Sequence, residues 1–357
     1  MTALGLFILA LGALLTFMVL LIQEKNKTEQ EKNKTEAALK QTKLKELEAL
    51  AYAELSESNF EAACMGVTQL LMAIQDKKYD KSPGIYQLRG RLKDRTIKFL
   101  TRFAKEKSSD YRDQERLARV DAVIAVVHKL YGDMPKCKEM YGKAIGVYEG
   151  LLQQFPKDAK YKKLASNAHN WLGLAEYEAG EVKEAATEFS QAIEILRKGV
   201  QIEANPQLLN NLAWLQVTCP MPEFHNAKEA VALAKQAVDA TPNVCPISAN
   251  WRGMYCNTLG VAEYRAGNMK AAVQALNESM KLRQGGDGWD WWFLAMAYCK
   301  MDNQKLMQLY YNKAVTAPPS MDLPHETMAF CQAEAEALIP KKVQKKPEIP
   351  GSAVTID

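Results

Sequence analysis

Residues 171–192 read WLGLAEYEAGEVKEAATEFSQA, and residues 258–279 read TLGVAEYRAGNMKAAVQALNES. Leu172, Gly173, Ala175, Tyr177, Ala179, Gly180, Lys183 and Ala185 of the first stretch return as Leu259, Gly260, Ala262, Tyr264, Ala266, Gly267, Lys270 and Ala272 of the second. Self-similarity on this scale marks stacked structural repeats, each too small to bury its own apolar face. Each copy holds a helical run, a glycine and a second helical run. The expectation is an all-α chain of helical hairpins, which offers extended grooves rather than closed pockets.

Two weaker copies lie between and beyond these. Leu212-Ala213, Ala230, Ala237 and Pro242 form one, its turn lengthened by an insertion within CPMPEFHN (219–226). Leu294-Ala295, Tyr298, Asp302, Tyr311, Ala314 and Pro319 form the other, with aspartate where the turn glycine is expected. Ala144, Tyr148 and Pro156 fit the second half of an earlier, divergent copy. The leucines at 172, 212, 259 and 294 are unequally spaced, so the solenoid should be irregular. Helices are expected over 111–131, 134–155, 158–179, 181–199, 206–217, 226–240, 248–266, 268–284, 288–301 and 303–317, with Pro206, Pro242 and Pro318–Pro319 at their starts and stops. A last helix near 324–338, carrying Ala329, Ala333, Ala335 and Leu338, should cap the array, because a terminal repeat otherwise exposes its apolar face. The Pro- and Lys-rich tail at 341–357 should be disordered.

The N-terminal part has a different character. Residues 3–22, ALGLFILALGALLTFMVLLI, carry no charge and as a helix would span about 30 Å, the thickness of a bilayer core. With no cation before this run and LLIQEKNK after it, residues 1–23 are expected to be a retained anchor rather than a cleaved signal. Lys25, Lys27, Lys32 and Lys34 then favour a cytoplasmic body by the positive-inside rule. Residues 24–57 lack glycine and proline and repeat EKNKTE, with opposite charges four apart (Lys25–Glu29, Lys27–Glu31, Lys32–Glu36). They read as a helical stalk. Leu44, Leu47 and Ala51 offer a short seam for a homodimeric coiled coil, while a single solvated helix fits 24–36 equally well. Residues 58–157 read as a divergent helical region, 158–317 as the solenoid and 318–340 as the cap. The helix after Pro83-Gly84 is rich in Arg and Lys, which reads either as a docking surface for an acidic partner or anionic lipid surface or as a solvated face opposite Leu88, Leu92, Ile97, Phe99, Leu100 and Phe103.

Composition bounds the chemistry. The 357 residues are 48% hydrophobic and 25% charged with net charge +4, which describes an ordered protein and gives no footprint for nucleic acid. Seven scattered cysteines form no CxxC and fit buried free thiols. His128, His169, His225 and His325 stand apart from one another and from any nucleophile motif, and no phosphate or dinucleotide fingerprint occurs. No catalytic residue, cofactor or metal site is expected.

The repeated unit resembles the tetratricopeptide repeat: Leu172-Gly173, Tyr177, Gly180, Ala185, Phe189 and Ala192 in one copy, Leu259-Gly260, Tyr264, Gly267, Ala272, Leu276 and Ser279 in another. NNLAWLQVTCP (210–220), AKEAVALAKQAVDATPN (227–243) and WDWWFLAMAYCKMDNQKLMQLYYNKAV (289–315), with DYRDQERLAR (110–119), are similar to repeats of planctomycete bacteria that commonly follow a serine/threonine kinase domain and one transmembrane helix. The kinase glycine-rich loop, HRD and DFG are missing here. In such relatives the repeats would lie outside the cytoplasm, against the lysine count, so the side of the membrane stays open. The resemblance implies that the first helix of each hairpin lines a concave face. Asn170, Asn210, Asn257 and Trp292 fall in one column of that face, Tyr177 and Tyr264 in a second, and Trp214 in a third, with Trp289 beside them. An asparagine ladder can hold a peptide backbone, and tryptophans can anchor side chains. Alternatively, the asparagines bond between repeats and the tryptophans are core. Arg265 and Lys300 are the only cations suited to clamping a carboxylate. The expected function is non-catalytic protein–protein interaction, as a scaffold or adaptor. A sensor or regulatory module derived from a receptor-type kinase, or a structural subunit of a membrane complex, are the alternatives.

Overall fold

The computed structural model describes residues 84–104, 111–241, 246–316 and 325–341, with Asn243 and a few earlier positions (27, 29–34, 66, 71 and 80). The span expected at 3–22, most of the 24–57 stalk and the tail after Lys341 lie outside the described residues; 29–34 are helical. Among the described residues no helix is long and apolar enough to cross a membrane. The chain divides into two units, Met1–Met65 and Gly66–Asp357, and the hairpins belong to the second.

Every regular element among the described residues is helical. In order they are α1 (Ile85–Ala104), α2 (Tyr111–Leu130), α3 (Met134–Gln154), α4 (Ala159–Glu178), α5 (Val182–Ile202) and α6 (Pro206–Thr218). A 3-10 turn at Pro222–Phe224 is followed by α7 (Ala227–Asp239), α8 (Pro246–Arg265), α9 (Met269–Leu282), α10 (Gly288–Lys300), α11 (Gln304–Thr316) and α12 (His325–Leu338). Polar caps set the starts. Asp158 accepts from Lys160 N–H at 2.8 Å, and Asn205 from Gln207 N–H at 2.9 Å ahead of Pro206. Each such cap satisfies a donor that the first turn leaves orphaned. The hairpin turns close at Gly180 and Gly267, whose φ values of 82° and 85° put them in the left-handed region that glycine enters without cost. Asp302 takes the same role in the last hairpin at φ 55°, a conformation aspartate tolerates better than most side chains.

Helices pair as α2/α3, α4/α5, α6/α7, α8/α9 and α10/α11, and each hairpin stacks on the next. Close approach within a pair depends on small residues. A Cβ at Gly260 would meet Leu276 Cγ at 2.5 Å and Ala272 O at 3.2 Å, and one at Gly173 would meet Phe189 Cε1 at 3.0 Å. The first helices α4, α6, α8 and α10 touch one another in sequence and form a front row; α5, α7, α9 and α11 form the back. One apolar core runs through the last four hairpins, from Ala192 to Ala314, and extends to Cys331, Ala335 and Ile339; a second joins α2, α3 and α4 through Ala125, Tyr141, Tyr148 and Tyr161. The insertion at 219–226 folds onto the stack: Met221 is buried, and Phe224 meets Phe189 edge-on at 6.0 Å.

Two helices turn a different face inward from the one the sequence pattern favours. In α1, Leu88 and Phe99 are exposed, while Ile85, Arg89, Thr96 and Leu100 are buried. Arg89 reaches Asp80 at 2.8 Å, and its carbonyl accepts from the Tyr131 hydroxyl at 2.7 Å, so hydrogen bonds to the segment after α2 fix the rotation. In α12, Cys331 and Ala335 are buried and Leu338 is exposed. Elsewhere the second helix of a hairpin packs on the next first helix, but α12 packs against α10, a front-row helix. Its described side chains reach across the front row. Phe330 lies edge-on to Tyr177 of α4 at 5.8 Å, and Glu334 pairs with Arg265 of α8 at 2.6 Å.

Candidate functional site

Four consecutive front-row helices present polar side chains to one cleft of about 220 Å³. Asn167, Asn170 and Trp171 come from α4, Asn210, Asn211 and Trp214 from α6, Met254, Asn257 and Thr258 from α8, and Trp289 from α10. Recurrence of the same helical position explains the convergence. Stacked hairpins bring equivalent residues into register, so a column in the sequence becomes a strip on the surface.

The members of the strip do different work. Asn211 Nδ2 donates to Asn167 Oδ1 at 3.4 Å and so bridges two hairpins. Asn257 Nδ2 donates to Asp290 Oδ1 at 2.7 Å, so this asparagine ties α8 to α10. Asn170 and Asn210 are half-buried at the cleft, and the Asn210 Oδ1 is buried with no hydrogen-bond partner. Trp214 and Trp289 form an edge-to-face pair with centroids 4.7 Å apart, giving the cleft an aromatic wall. Peptide groups need both a donor and an acceptor, and the amides of Asn170 and Asn210, which line the cleft, carry both.

Of the eight residues singled out from the sequence, five line the cleft: Asn170, Asn210, Trp214, Asn257 and Trp289. Trp292 is 2% exposed and packs edge-on to Tyr311 at 5.6 Å, inside the last hairpin. Tyr264 is buried against Phe293 at 5.3 Å, and Tyr177 sits beneath Phe330 of α12. Asn167, Asn211, Arg283 and Asp287 also line the cleft, and sequence reasoning passed them over. Asn167 and Asn211 could have been found as neighbours of Asn170 and Asn210 on the same faces. Asp287 and Asp290 had the D-x-x-D spacing of a capping box.

That capping box anchors the floor. Asp287 accepts from Trp289 and Asp290 N–H, and Asp290 Oδ2 accepts from the Asp287 N–H at 3.1 Å. Arg283 donates to Asp287 Oδ2 at 2.7 Å and to Asp290. Burial, then the Asp287 charge, raises the Asp290 carboxyl above its ordinary range; Arg283 and Asn257 oppose this.

A second polar cluster lies between α3, α4 and α5. His169 Nδ1 is 2.6 Å from Glu188 Oε2, and its Nε2 is 3.4 Å from Glu149. Glu176 is 8% exposed, and its Oε2 has no hydrogen-bond partner. Burial first, then the charge of Glu188, pushes its carboxyl up to about 7; Lys138 draws it down, and Glu181 and Glu184 add smaller upward pushes. Raised above its ordinary 4.5, the folded state holds this proton more tightly than the unfolded chain does. Stability therefore falls as pH rises from about 4.5 through about 7. Glu176→Gln should be more stable than the parent at pH 8, by roughly 1–3 kcal/mol, and equal to it near pH 4. Urea unfolding at both pH values measures this, and an equal difference at both would refute it. Among the described residues no group of His, Cys, Asp and Glu could hold a metal ion. Cys219, Cys256, Cys299 and Cys331 are thiols outside any disulfide, and Cys137 is buried.

No family model matches the chain, and no curated protein matches it. Among solved structures it is similar to BtubC from P. vanneervenii at 17% identity, covering 74% of this chain and 95% of that one with a TM-score of 0.39. It is similar to MamA at 16% identity, over 54% and 92% of the two chains with a TM-score of 0.32. It is also similar to the Pseudomonas aeruginosa protein pilF at 16% identity, over 68% and 97% with a TM-score of 0.31.

Proposed function

We propose that this chain is a membrane-anchored, non-catalytic repeat protein that captures an extended stretch of another protein along the front row of its hairpins. The observation that carries the reading is the cleft itself. Asn170 and Asn210 turn amide groups toward it, and the Trp214–Trp289 pair stands beside them. Amide side chains bond peptide groups whatever the sequence, and the aromatic wall selects a large apolar side chain from the ligand.

The test uses extended peptides selected from a library on the full chain. Asn170→Ala with Asn210→Ala should weaken the selected peptides at least tenfold while leaving the urea midpoint unchanged. Unaltered affinity in this variant would remove the cleft from the mechanism. A structural subunit with no exchangeable ligand would select no peptide at all.

Residues 3–22 supply the anchor in this reading, and the lysines after them place the body on the cytoplasmic side. A phosphatase reporter fused after Asp357 should stay inactive, since that enzyme folds only outside the cytoplasm. Full reporter activity would reverse the orientation and match the placement in the kinase-linked repeats that the sequence resembles.

A further inference from the structure

The front row carries two unlike surfaces. Its upper part is the polar cleft just described. About two helical turns beyond the asparagine column on the same helices lie Tyr177, Val217, Tyr264, Arg265 and Cys299, and this strip is covered by α12. Phe330 and Glu334 stand four residues apart, so they project from one face of α12. Phe330 packs with Tyr177 and the small apolar cluster around Leu174, Phe189 and Met221. Glu334 accepts from Arg265 Nη1 at 2.6 Å. Arg265 is itself preset for a carboxylate: its Nε donates to Val217 O at 3.2 Å, and its guanidinium lies over the rings of Tyr264 and Phe293. The pocket for an acidic group is thus built by α6, α8 and α10 together. At the far end the Cys299 thiol meets Leu338 O at 3.8 Å.

α12 adds small side chains, Cys331 and Ala335, to the core shared by the hairpins, and makes its specific contacts with the front row through Phe330 and Glu334. Its fully buried described side chains within the helix are the small ones, Cys331 and Ala335. The two residues that make specific contacts, Phe330 and Glu334, remain partly solvent-accessible. It leaves Leu309 of α11 exposed and lies instead along the face that the repeat pattern assigns to binding. Residues 317–324 join it to α11, and such a covalent link gives even a weak helix the advantage of high effective concentration.

We propose that this strip is a helix-binding site which the chain fills with its own α12, and that its ligand in trans is an amphipathic helix bearing an aromatic residue and a carboxylate four positions later. This deepens the reading of the front row as a binding surface. Release of α12 is observable without any knowledge of what the polar cleft holds, so the two ideas can fail separately.

Two measurements on the full chain decide the matter. The first is alkylation of Cys331, located by peptide mass spectrometry. Cys331 is 3% exposed, and burial pushes its thiol up to about 12, so it should react slowly in the parent. Glu334→Lys places a cation against Arg265, and Phe330→Ala removes the ring on Tyr177. Either variant should speed alkylation of Cys331 at least tenfold, with buried Cys137 as slow as before. The second is anisotropy of a labelled peptide of residues 325–340, HETMAFCQAEAEALIP with serine for its cysteine. It should bind the Glu334→Lys chain at least tenfold more tightly than the parent, and lose that affinity when its own phenylalanine is replaced by alanine. Equal Cys331 reactivity in parent and both variants, with no peptide binding, overturns the proposal. Faster alkylation of Cys137, which lies in the separate core of α2, α3 and α4, alongside Cys331 overturns it too, since the variants would then have loosened the hairpins themselves. A stable dimer of the parent chain that dissociates in either variant would give the site to a second copy and would also overturn it.

Discussion

Asp290→Ala should lower the free energy of unfolding by about 3–5 kcal/mol, read as a fall in the urea midpoint. Asp290 is 0% exposed, yet it carries a carboxylate that faces the Arg283 guanidinium. Its removal withdraws a counter-charge from a partly buried cation and the acceptor from Asn257, and it opens the capping box at the start of α10. Loss of a cap alone costs about 1 kcal/mol; a buried charge without its partner costs more. Asp287, 2.7 Å from Arg283, carries part of the compensation and places the expected value in the lower half of the range. Asp290→Asn keeps the volume and one acceptor and should cost less. Asn257→Ala should couple with Asp290→Ala in a double-mutant cycle, because the two side chains share one bond. A midpoint equal to that of the parent would show that the network does not hold α8 to α10.

Trp292→Ala should cost a similar about 3–5 kcal/mol, through the cavity left where a large ring packed. The side chain is 2% exposed and meets the Tyr311 ring at 81°, an edge-on contact that adds to the area it buries. Peptide affinity per folded molecule should not change, since no atom of Trp292 lines the cleft. The outcome is opposite in kind to that at Asn210, where binding should fall and stability should hold. If Trp292→Ala weakens peptide capture and spares the urea midpoint, the two roles have been assigned the wrong way round.

This contrast shows how far the sequence could be read. Hairpin boundaries were legible because glycine, proline and capping residues act locally: Gly180, Gly267 and Pro206 do in the fold what their chemistry dictates. Asn170, Asn210 and Asn257 were legible as a strip because equivalent positions in stacked repeats must align. Their separate roles were not. Asn257 is spent on Asp290 because a carboxylate thirty-three residues later folds beneath it, and no local pattern announces that partner. The same limit governs faces. In α1 and α12 adjacent helical stripes are both plausible cores, and only the neighbouring helices decide which turns inward. Hence Leu88 and Leu338 are exposed while Arg89 and Cys331 are buried.

The crossing of α12 also alters the topology of the stack. A row of hairpins in which each touches only its neighbours is a one-dimensional array, and such arrays come apart from their ends. Phe330 against Tyr177 and Glu334 against Arg265 join helix pairs remote in sequence. These contacts raise the contact order and turn an open row into a closed circuit. Within the stretch from α4 to α12, fraying from either end then has to break a long-range link first. The hairpins from α4 to α11 should therefore melt as one cooperative unit with α12 seated, and stepwise from the ends once it is released.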